Sequence, residues 1–240
     1  MSTTYAEKAP PAYLAGDVHC VWRSSFGTSS AILPDGCLDL VVAPDRVFVA
    51  GPDTTAWSSG YAVGAPLYGI RFLPGRAPRV LGLPASELLN QRVQLLDLWG
   101  RPARRIVSKL YADPIPELTK LVAERLDRPE ADPVDPLVDL AVRRLRRGGS
   151  RVTAVLRDLD LSDRQLRRRF ASAVGYGPAT FLRVSRLQRV RDLALRTELS
   201  LAELAVEAGY ADQAHLSRDV RELAGTTARN LLRPAGALAA

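Results

Sequence analysis

Two arginine-bearing segments of similar pattern lie 50 residues apart in the second half of the chain. One reads LSDRQLRRRFASAVG from residue 161, and the other reads ADQAHLSRDVRELAG from residue 211. At about 100° per residue, Leu166 and Leu216 each belong to an apolar helix face, and Arg168 and Arg218 lie on the opposite side. Arginine carries a planar fork of donors that fits phosphate oxygens and the O6 and N7 acceptors of guanine. The chemistry that this spacing favours is binding to duplex DNA.

The candidate DNA contacts are the side chains opposite or beside the two apolar faces. They are Arg164, Arg167 and Arg168 in the first segment and Asp212, Gln213, Ser217, Arg218 and Arg221 in the second. For the arginines, hydrogen bonds to base edges and contacts to phosphates alone both stay open. Asp212 stands at the start of its helix, where an N-cap role competes with base contact. Arg169 lies near the apolar edge, which favours a structural or phosphate-directed role.

A short helix and a turn precede each of the two segments. The apolar positions of these short helices are Val152, Val155 and Leu156 in the first copy and Leu201, Leu204 and Ala205 in the second. The turns are centred on Asp160 and Gly209, so the second turn is one residue longer. Two short helices that cross at a tight turn predict helix-turn-helix motifs at 152–174 and 201–224, the second helix of each being exposed for the major groove.

Residues 178–196 predict a helix that connects the two motifs. Pro178 suits the first turn of a helix, and apolar residues follow at helical spacing. A helix of this length would span about 28 Å, and successive major-groove faces on one side of B-DNA lie about 34 Å apart. A rigid connector of that length would hold the two motifs in adjacent grooves.

Charge is distributed unevenly between the two halves of the chain. Residues 131–240 hold 19 of the 33 basic residues, all of them arginine, against 13 of the 26 acidic ones. A GC-rich genome would explain arginine in place of lysine, but it would not explain where the excess lies. The positive excess in the helical half is consistent with a nucleic-acid partner.

The first part of the chain has a different periodicity. Short apolar or alternating runs separated by turn residues predict a β-rich domain at 1–83, either a cupin-like barrel or a sandwich. From Pro84 the apolar spacing becomes helical and predicts a connector or dimerisation segment at 84–130. The proline-rich stretch DRPEADPVDP predicts a linker before an all-α domain at 135–234. The expected fold class is α+β.

The segments LSDRQLRRRF, GYGPATFLRVSRLQRVRDL and SLAELAVEAGYADQAHLSRDVRELAGTT together resemble the C-terminal DNA-binding domain of the AraC/XylS transcriptional regulators. The resemblance implies a double helix-turn-helix domain that binds specific sequences beside a promoter. Four residues depart from the family pattern. Asp160 and Leu156 replace a glycine and a small alanine in the first motif, Val220 replaces an aromatic residue, and Ala228 replaces a proline.

The segments PDGCLDLVV, AGP and GIRFLPG resemble the variable effector domain of such regulators. This resemblance implies a β-rich domain that senses a small molecule, whose identity stays open. Residues that could line its pocket are Trp22, Trp57, Tyr61, Tyr68 and Arg71. Each of them could equally be an ordinary core or rim residue.

The sequence offers two alternatives to a regulator, an enzyme and a repair protein with a reactive cysteine. A cupin-like enzyme needs clustered metal ligands, but the only histidines are His19 and His215, far apart in the sequence. A repair regulator with an alkyl-accepting cysteine would use Cys20 or Cys37, yet neither has basic neighbours that would favour the thiolate. We therefore expect no catalytic residue, no metal and no cofactor.

The remaining expectations concern partners and location. Two cysteines exclude a disulfide framework and favour a reducing compartment. No apolar run approaches the roughly 18–20 residues that cross a bilayer, and no secretory signal pattern is present. The sequence predicts a cytoplasmic, nucleoid-associated protein whose partners are double-stranded DNA and a small-molecule effector. Homodimerisation and contact with RNA polymerase stay open.

Overall fold

The computed structural model describes residues 4–25, 31–62, 64–147, 152–153 and 161–232. In the described part of the first hundred residues, eight strands form two antiparallel sheets. The strands are β1 Thr4–Lys8, β2 Val18–Ser25, β3 Ala31–Ile32, β4 Asp39–Val42, β5 Val47–Ala50, β6 Trp57–Ser58, β7 Pro66–Phe72 and β8 Arg92–Gln94. Six of them form a sheet in the order β1-β2-β7-β4-β5-β8, and β3 pairs with β6.

The expected β-rich domain is confirmed, and its six-stranded sheet is open rather than closed into a barrel. Its edges are β1 and β8, and among the described residues no pairing joins them. One face carries alternate apolar residues, including Leu40, Val49 and Ile70, none of which is exposed. Successive side chains of a strand point to opposite faces, so this face is continuous across the strands.

Four helices cover that apolar face. They are α1 Ala77–Leu81, α2 Leu95–Trp99, α3 Ala103–Ala112 and α4 Pro114–Leu126. Leu110 of α3 and Leu118 and Val122 of α4 are fully buried in the same core as the sheet. The segment expected as a separate connector at 84–130 therefore shares the hydrophobic core of the sheet.

The expected helical pattern that starts at Pro84 is wrong over its first part. Residues Ala85–Leu88 form a single 3₁₀ turn, and Arg92–Gln94 form strand β8, which pairs with β5. Asn90 adopts a φ of 57°, so the backbone cannot continue as a helix there. The apolar spacing at Leu88 and Val93 comes from two different elements that face one core.

Six described helices make up the C-terminal region. They are α5 Pro136–Arg147, α6 Asp163–Val174, α7 Pro178–Arg196, α8 Leu201–Glu207, α9 Gln213–Ala224 and α10 Ala228–Leu231. Helix α7 has the bounds that the sequence predicted for the connecting helix. Their core is formed by α5 through α10 and includes the fully buried Phe170, Val184 and Val220. Of the first motif's opening helix, Val155, Leu156 and Asp160 lie outside the described residues.

The C-terminal helices pack directly against the N-terminal region. A Cβ built at Gly36 would lie 2.7 Å from the ring of Phe181 on α7, which shows how closely the loop before β4 approaches that helix. Arg76 forms an ion pair with Asp139 of α5. No helix in the described part of the chain has the length and apolar character needed to cross a membrane.

Candidate nucleic-acid interface

The second helix-turn-helix unit consists of α8, a glycine turn and α9. Ser200 and Glu203 form a reciprocal capping box that begins α8. Gly209 has a φ of +88°, a conformation that glycine adopts without steric cost, and it turns the chain between the helices. Asp212 is the N-cap of α9, because its Oδ1 accepts a hydrogen bond of 2.6 Å from the His215 amide. The carboxylate thus has a structural role at the end of α9 that was expected to meet DNA.

Helix α9 has one buried and one exposed face. Leu216 and Val220 are fully buried and Leu223 is nearly so, whereas Gln213, Arg218 and Arg221 are exposed. Ser217 is half-buried, and its hydroxyl donates to the Gln213 carbonyl at 2.8 Å. The face opposite the core therefore presents an amide and two guanidinium groups to solvent.

Helix α9 is attached to the connecting helix by a buried carboxylate that the sequence analysis missed. Asp219 is only 6% exposed, and Nε of Arg183 on α7 donates to its Oδ1 at 3.0 Å. Arg183 also contacts Glu222, one helical turn further along α9. The signal was present in the sequence, since Asp219 is a charged residue three positions after Leu216, within the apolar stripe of the helix.

His215 is half-buried at the flank of α9. Its ring meets the ring of Tyr210 edge-on at 5.2 Å, and its Nε2 lies 3.9 Å from Asp219 Oδ2. The guanidinium of the buried Arg186 lies 5.7 Å from the same tyrosine ring, and burial lowers its pKa. Within the described ranges, no group of three or more histidine, cysteine or acidic side chains could hold a metal ion.

The first recognition helix, α6, is capped at both ends. Ser162 and Gln165 form a capping box at its start, and Gly175 ends it with a φ of +102°. Phe170 and Val174 are fully buried, whereas the three arginines of the candidate contact set, Arg164, Arg167 and Arg168, are exposed. α6 therefore shows the same division between a core face and an arginine face as α9.

Arg169 has a structural partner. Its guanidinium donates two hydrogen bonds to Asp135, from Nε at 2.6 Å and from the terminal nitrogen at 2.7 Å. Asp135 also accepts from the amides of Leu137 and Val138 at the start of α5. This ion pair fixes α6 to α5.

The exposed arginines have no such partner. Among the acidic side chains that the structure describes, none forms an ion pair with the arginines of the two candidate surfaces, which are Arg164, Arg167, Arg168, Arg218 and Arg221. Their charges face solvent, where phosphate oxygens could neutralise them.

The five candidate effector residues do not line one cavity, which corrects the sequence analysis. On β7, Arg71 lies on the sheet face that also carries Trp22, whereas Tyr68 packs into the helix-covered core on the other face. Tyr68 and Arg71 are three positions apart on one strand, so their side chains must point to opposite faces. Tyr61 accepts a hydrogen bond from Arg46 at 2.9 Å. Trp57 lies beneath the guanidinium of Arg92, and its ring centre is 4.3 Å away.

Asp39 organises the polar side of the sheet. It accepts hydrogen bonds from Arg71 at 3.0 and 3.1 Å and from the Trp22 indole at 3.0 Å. Burial raises the pKa of Asp39, although the charge of Arg71 opposes that effect. Arg71 also pairs with Glu7 and Asp35, each at 3.3 Å. The polar side chains of this cluster therefore serve as hydrogen-bond and ion-pair partners for one another.

A cleft between α3 and α4 holds about 40 Å³, which is small beside the roughly 300–1,000 Å³ of ordinary small-molecule sites. The two cysteines are free and buried. Burial raises the pKa of the Cys20 thiol to about 12 and raises the pKa of Cys37 as well. Neither thiol is favoured as the thiolate that alkyl transfer would need.

Comparison with known families places the two recognition helices within one domain. Residues 155–233 match the family model of a helix-turn-helix domain. The C-terminal part of the chain is a DNA-binding domain of the AraC type. The protein is accordingly a DNA-binding transcriptional regulator. Residues 6–94 match the model of a domain of unknown function.

Solved structures with a similar arrangement include several of ToxT from Vibrio cholerae. The structure from strain O395 bound to (E)-4-(8-methylnaphthalen-1-yl)but-3-enoic acid is 10% identical over 97% of this chain and 98% of that chain, with a TM-score of 0.44. The P21 crystal form is 11% identical over 97% and 98%, with a TM-score of 0.43. The structure bound to an unsaturated fatty acid is 12% identical over 88% and 93%, with a TM-score of 0.42. No curated protein sequence matches the chain significantly.

Proposed function

We propose that the regulator binds a specific duplex sequence through α6 and α9, which enter two major grooves on one side of the DNA. The observation that carries this proposal is the shared construction of the two helices. Each buries an apolar face in one core and exposes, on the opposite face, arginines that form no ion pair with the described acidic side chains. Helix α7, with 19 residues, joins them, and its length of about 28 Å is compatible with adjacent grooves.

The proposed roles differ among the contact residues. Arg164, Arg168 and Arg218 lie opposite the buried faces and are assigned to base edges, where a bidentate contact to guanine discriminates by about 1–3 kcal/mol. Arg167 and Arg221 are assigned to phosphates or bases at the flanks. Gln213 and Ser217 supply further polar groups, and Asp212 acts as the N-cap of α9.

A random-duplex selection at moderate salt tests this function. The full chain should enrich a sequence with two half-sites about one helical turn apart. Arg168→Ala and Arg218→Ala should each weaken binding to the enriched duplex by about tenfold or more and relax specificity within one half-site. Arg104→Ala, at an exposed arginine of α3 in the N-terminal region, is the matched control and should leave affinity unchanged. Enrichment of no sequence would refute the specific part of the proposal.

The N-terminal region is proposed to sense a small molecule, with the DNA-binding domain spanning 135–234. Direct packing between the two regions supports this control, because an effector must act through such contacts. A ligand that raises the melting temperature and also changes the affinity for DNA would identify the effector. Homodimerisation, contact with RNA polymerase and association with the nucleoid are further parts of the proposal, which sedimentation and crosslinking in cells would test.

A further inference from the structure

One loop of the N-terminal region touches the ends of both recognition helices. This loop, taken as residues 51–57, runs from the end of β5 to the first residue of β6. The amide of Ala56 donates to the Leu223 carbonyl in the last turn of α9 at 2.7 Å. Pro52 lies against the residue that ends α6, since a Cβ built at Gly175 would be 2.3 Å from Pro52 Cγ. Carbonyls in the last turn of a helix have no partner within the helix, so the Ala56 bond satisfies one of them.

An ion pair with strand β8 fixes the position of the loop. Asp53 accepts two hydrogen bonds from Arg92, at 3.0 and 2.6 Å, and both side chains are largely buried. The guanidinium of Arg92 also covers the ring of Trp57. Charge-assisted, bidentate pairs of this kind fix orientation as well as distance. Asp53 and Trp57 are thus both held by Arg92, the first residue of β8.

Asn90 fixes the middle of the same loop. Its side-chain oxygen accepts hydrogen bonds from the backbone amide and the hydroxyl of Thr54, at 2.8 and 3.1 Å. Its backbone amide donates to the Pro52 carbonyl at 3.0 Å. The residue adopts a left-handed φ of 57°. Left-handed asparagine is tolerated but strained, and it persists where surrounding contacts determine it.

Residues 85–92, which hold the loop in place, also contact the first recognition helix. The carbonyl of Ala85 would lie 3.2 Å from a Cβ at Gly175. Leu89 is partly buried against the core of the C-terminal helices. Residues 51–57 and 85–92 therefore form one braced unit, here called the brace, that contacts both motifs. Apart from the brace, the described residues link α6 to α8 and α9 through α7 and the shared core.

We propose that the brace fixes the placement of α9 relative to α6, and thereby the separation of the two half-sites that the full chain recognises. The inference rests on the proposed function, because it concerns the geometry of the DNA that α6 and α9 bind. Two linked binding modules gain from each other only when the spacing between their sites matches the linkage. The brace is thus a specificity-determining element that itself touches no DNA.

Gly175→Ala is the central test, and Gly225→Ala is its matched control. Both glycines end a recognition helix with positive φ, 102° at Gly175 and 66° at Gly225, so both substitutions strain the backbone, Gly175→Ala the more strongly. Only at Gly175 does the new methyl group collide with the brace, since nothing lies within 4 Å of a Cβ at Gly225. Adding Pro52→Ala removes the colliding Cγ and should recover part of the wild-type behaviour, while the Ala85 carbonyl still lies 3.2 Å from the new methyl group. Asn90→Gly keeps the left-handed backbone and removes the bonds to Thr54, so it loosens the brace from the other side.

The first readout uses duplexes from the selection, with the separation between half-sites changed in single base-pair steps. The wild type and Gly225→Ala should prefer one separation. Gly175→Ala and Asn90→Gly should lose or shift that preference by about tenfold or more, while affinity for a single half-site stays within about threefold. An unchanged preference in both variants would overturn the inference. If the wild type bound no duplex specifically, the proposed function would fail instead.

The second readout needs no DNA. Spin labels at Ser172→Cys on α6 and Ala214→Cys on α9, both exposed positions, report the distance between the recognition helices. The wild type and Gly225→Ala should give a narrow distance distribution, and Gly175→Ala and Asn90→Gly should give a shifted or broader one. Circular dichroism confirms that each variant is folded. A distribution as narrow and centred as in the wild type in both brace variants would refute the inference, whatever the protein binds.

Discussion

The ion pair between Arg183 and Asp219 attaches the second recognition helix to the connecting helix, and its two ends should respond unequally to mutation. Arg183 donates to Asp219 Oδ1 from Nε at 3.0 Å, and its terminal nitrogen lies 2.9 Å from the same atom. The side chain of Asp219 is 8% exposed, whereas that of Arg183 is 35% exposed. Removal of Arg183 leaves the buried carboxylate of Asp219 without its hydrogen-bond donor. Removal of Asp219 leaves the guanidinium of Arg183, which water and Glu222 can reach.

The exposures set the expected magnitudes. Loss of one partner from a buried ion pair costs about 3–5 kcal/mol, and Arg183→Met should approach the lower end, about 3 kcal/mol, because the pair is not completely enclosed. Asp219→Asn keeps an acceptor for Nε and should cost about 1–2 kcal/mol. The double variant Arg183→Met with Asp219→Leu should recover most of the loss, since apolar pairs often replace buried ion pairs with little cost.

Urea unfolding of the full chain measures these values. Far-ultraviolet circular dichroism follows the helices of both regions, whereas tryptophan fluorescence follows only the N-terminal region, because the tryptophans are Trp22, Trp57 and Trp99. Arg196→Met, at the exposed end of α7, is the control and should change stability by less than about 0.5 kcal/mol. Equal costs for Arg183→Met and Asp219→Asn, or a double variant no more stable than Arg183→Met alone, would refute the argument.

Three further outcomes follow from single positions. Gly209→Ala should destabilise the second motif by about 1–2 kcal/mol in thermal unfolding, because its φ is +88°. Gly177→Ala, at a negative φ with open space around it, should cost less, since it only replaces the N-cap of α7 by a weaker one. Burial raises the pKa of Cys20 to about 12, so its neutral form stabilises the folded protein at neutral pH. That contribution should decline as the pH rises from the unfolded thiol's range toward 12, and iodoacetamide should label Cys20 at pH 8 only after denaturation. Arg168→Ala should leave the melting temperature unchanged or slightly raised while it weakens DNA binding; a clear loss of stability would mean that Arg168 serves the fold.

Local signals were sufficient for most of the C-terminal region. Pro178 and the apolar spacing after it indicate the start and length of α7, because a proline at the first helical position and one continuous buried stripe are both local properties. Gly209 and Asp212 likewise mark a turn and a cap by their own conformational preferences. The pairing of Asp219 with Arg183 was missed because it joins residues on two helices, although a carboxylate within an apolar stripe already requires a partner.

Long-range contacts decide what the sequence could not show in the N-terminal region. Strand β8 has only three residues, and it is a strand because β5 supplies its hydrogen bonds. Asn90 turns the chain before it through contacts with Thr54 and Pro52, which lie almost 40 residues earlier. In contrast, the opposite orientations of Tyr68 and Arg71 follow from the two-residue period of a strand. The strand period alone therefore argues against placing Tyr68 and Arg71 in the same pocket.

The exposed arginines of α6 are better explained by a partner than by the fold. Arg164 and Arg168 are four positions apart on one helix, where like charges repel and cost a few tenths of a kcal/mol. The structure uses the neighbouring Arg169 differently, since that side chain is fixed by Asp135 and links α6 to α5. An adjacent arginine can thus be paired when stability requires it, yet the described acidic residues leave Arg164 and Arg168 unpaired. A dense polyanion such as duplex DNA converts this small repulsion into a favourable interaction, because each phosphate contact releases condensed counterions.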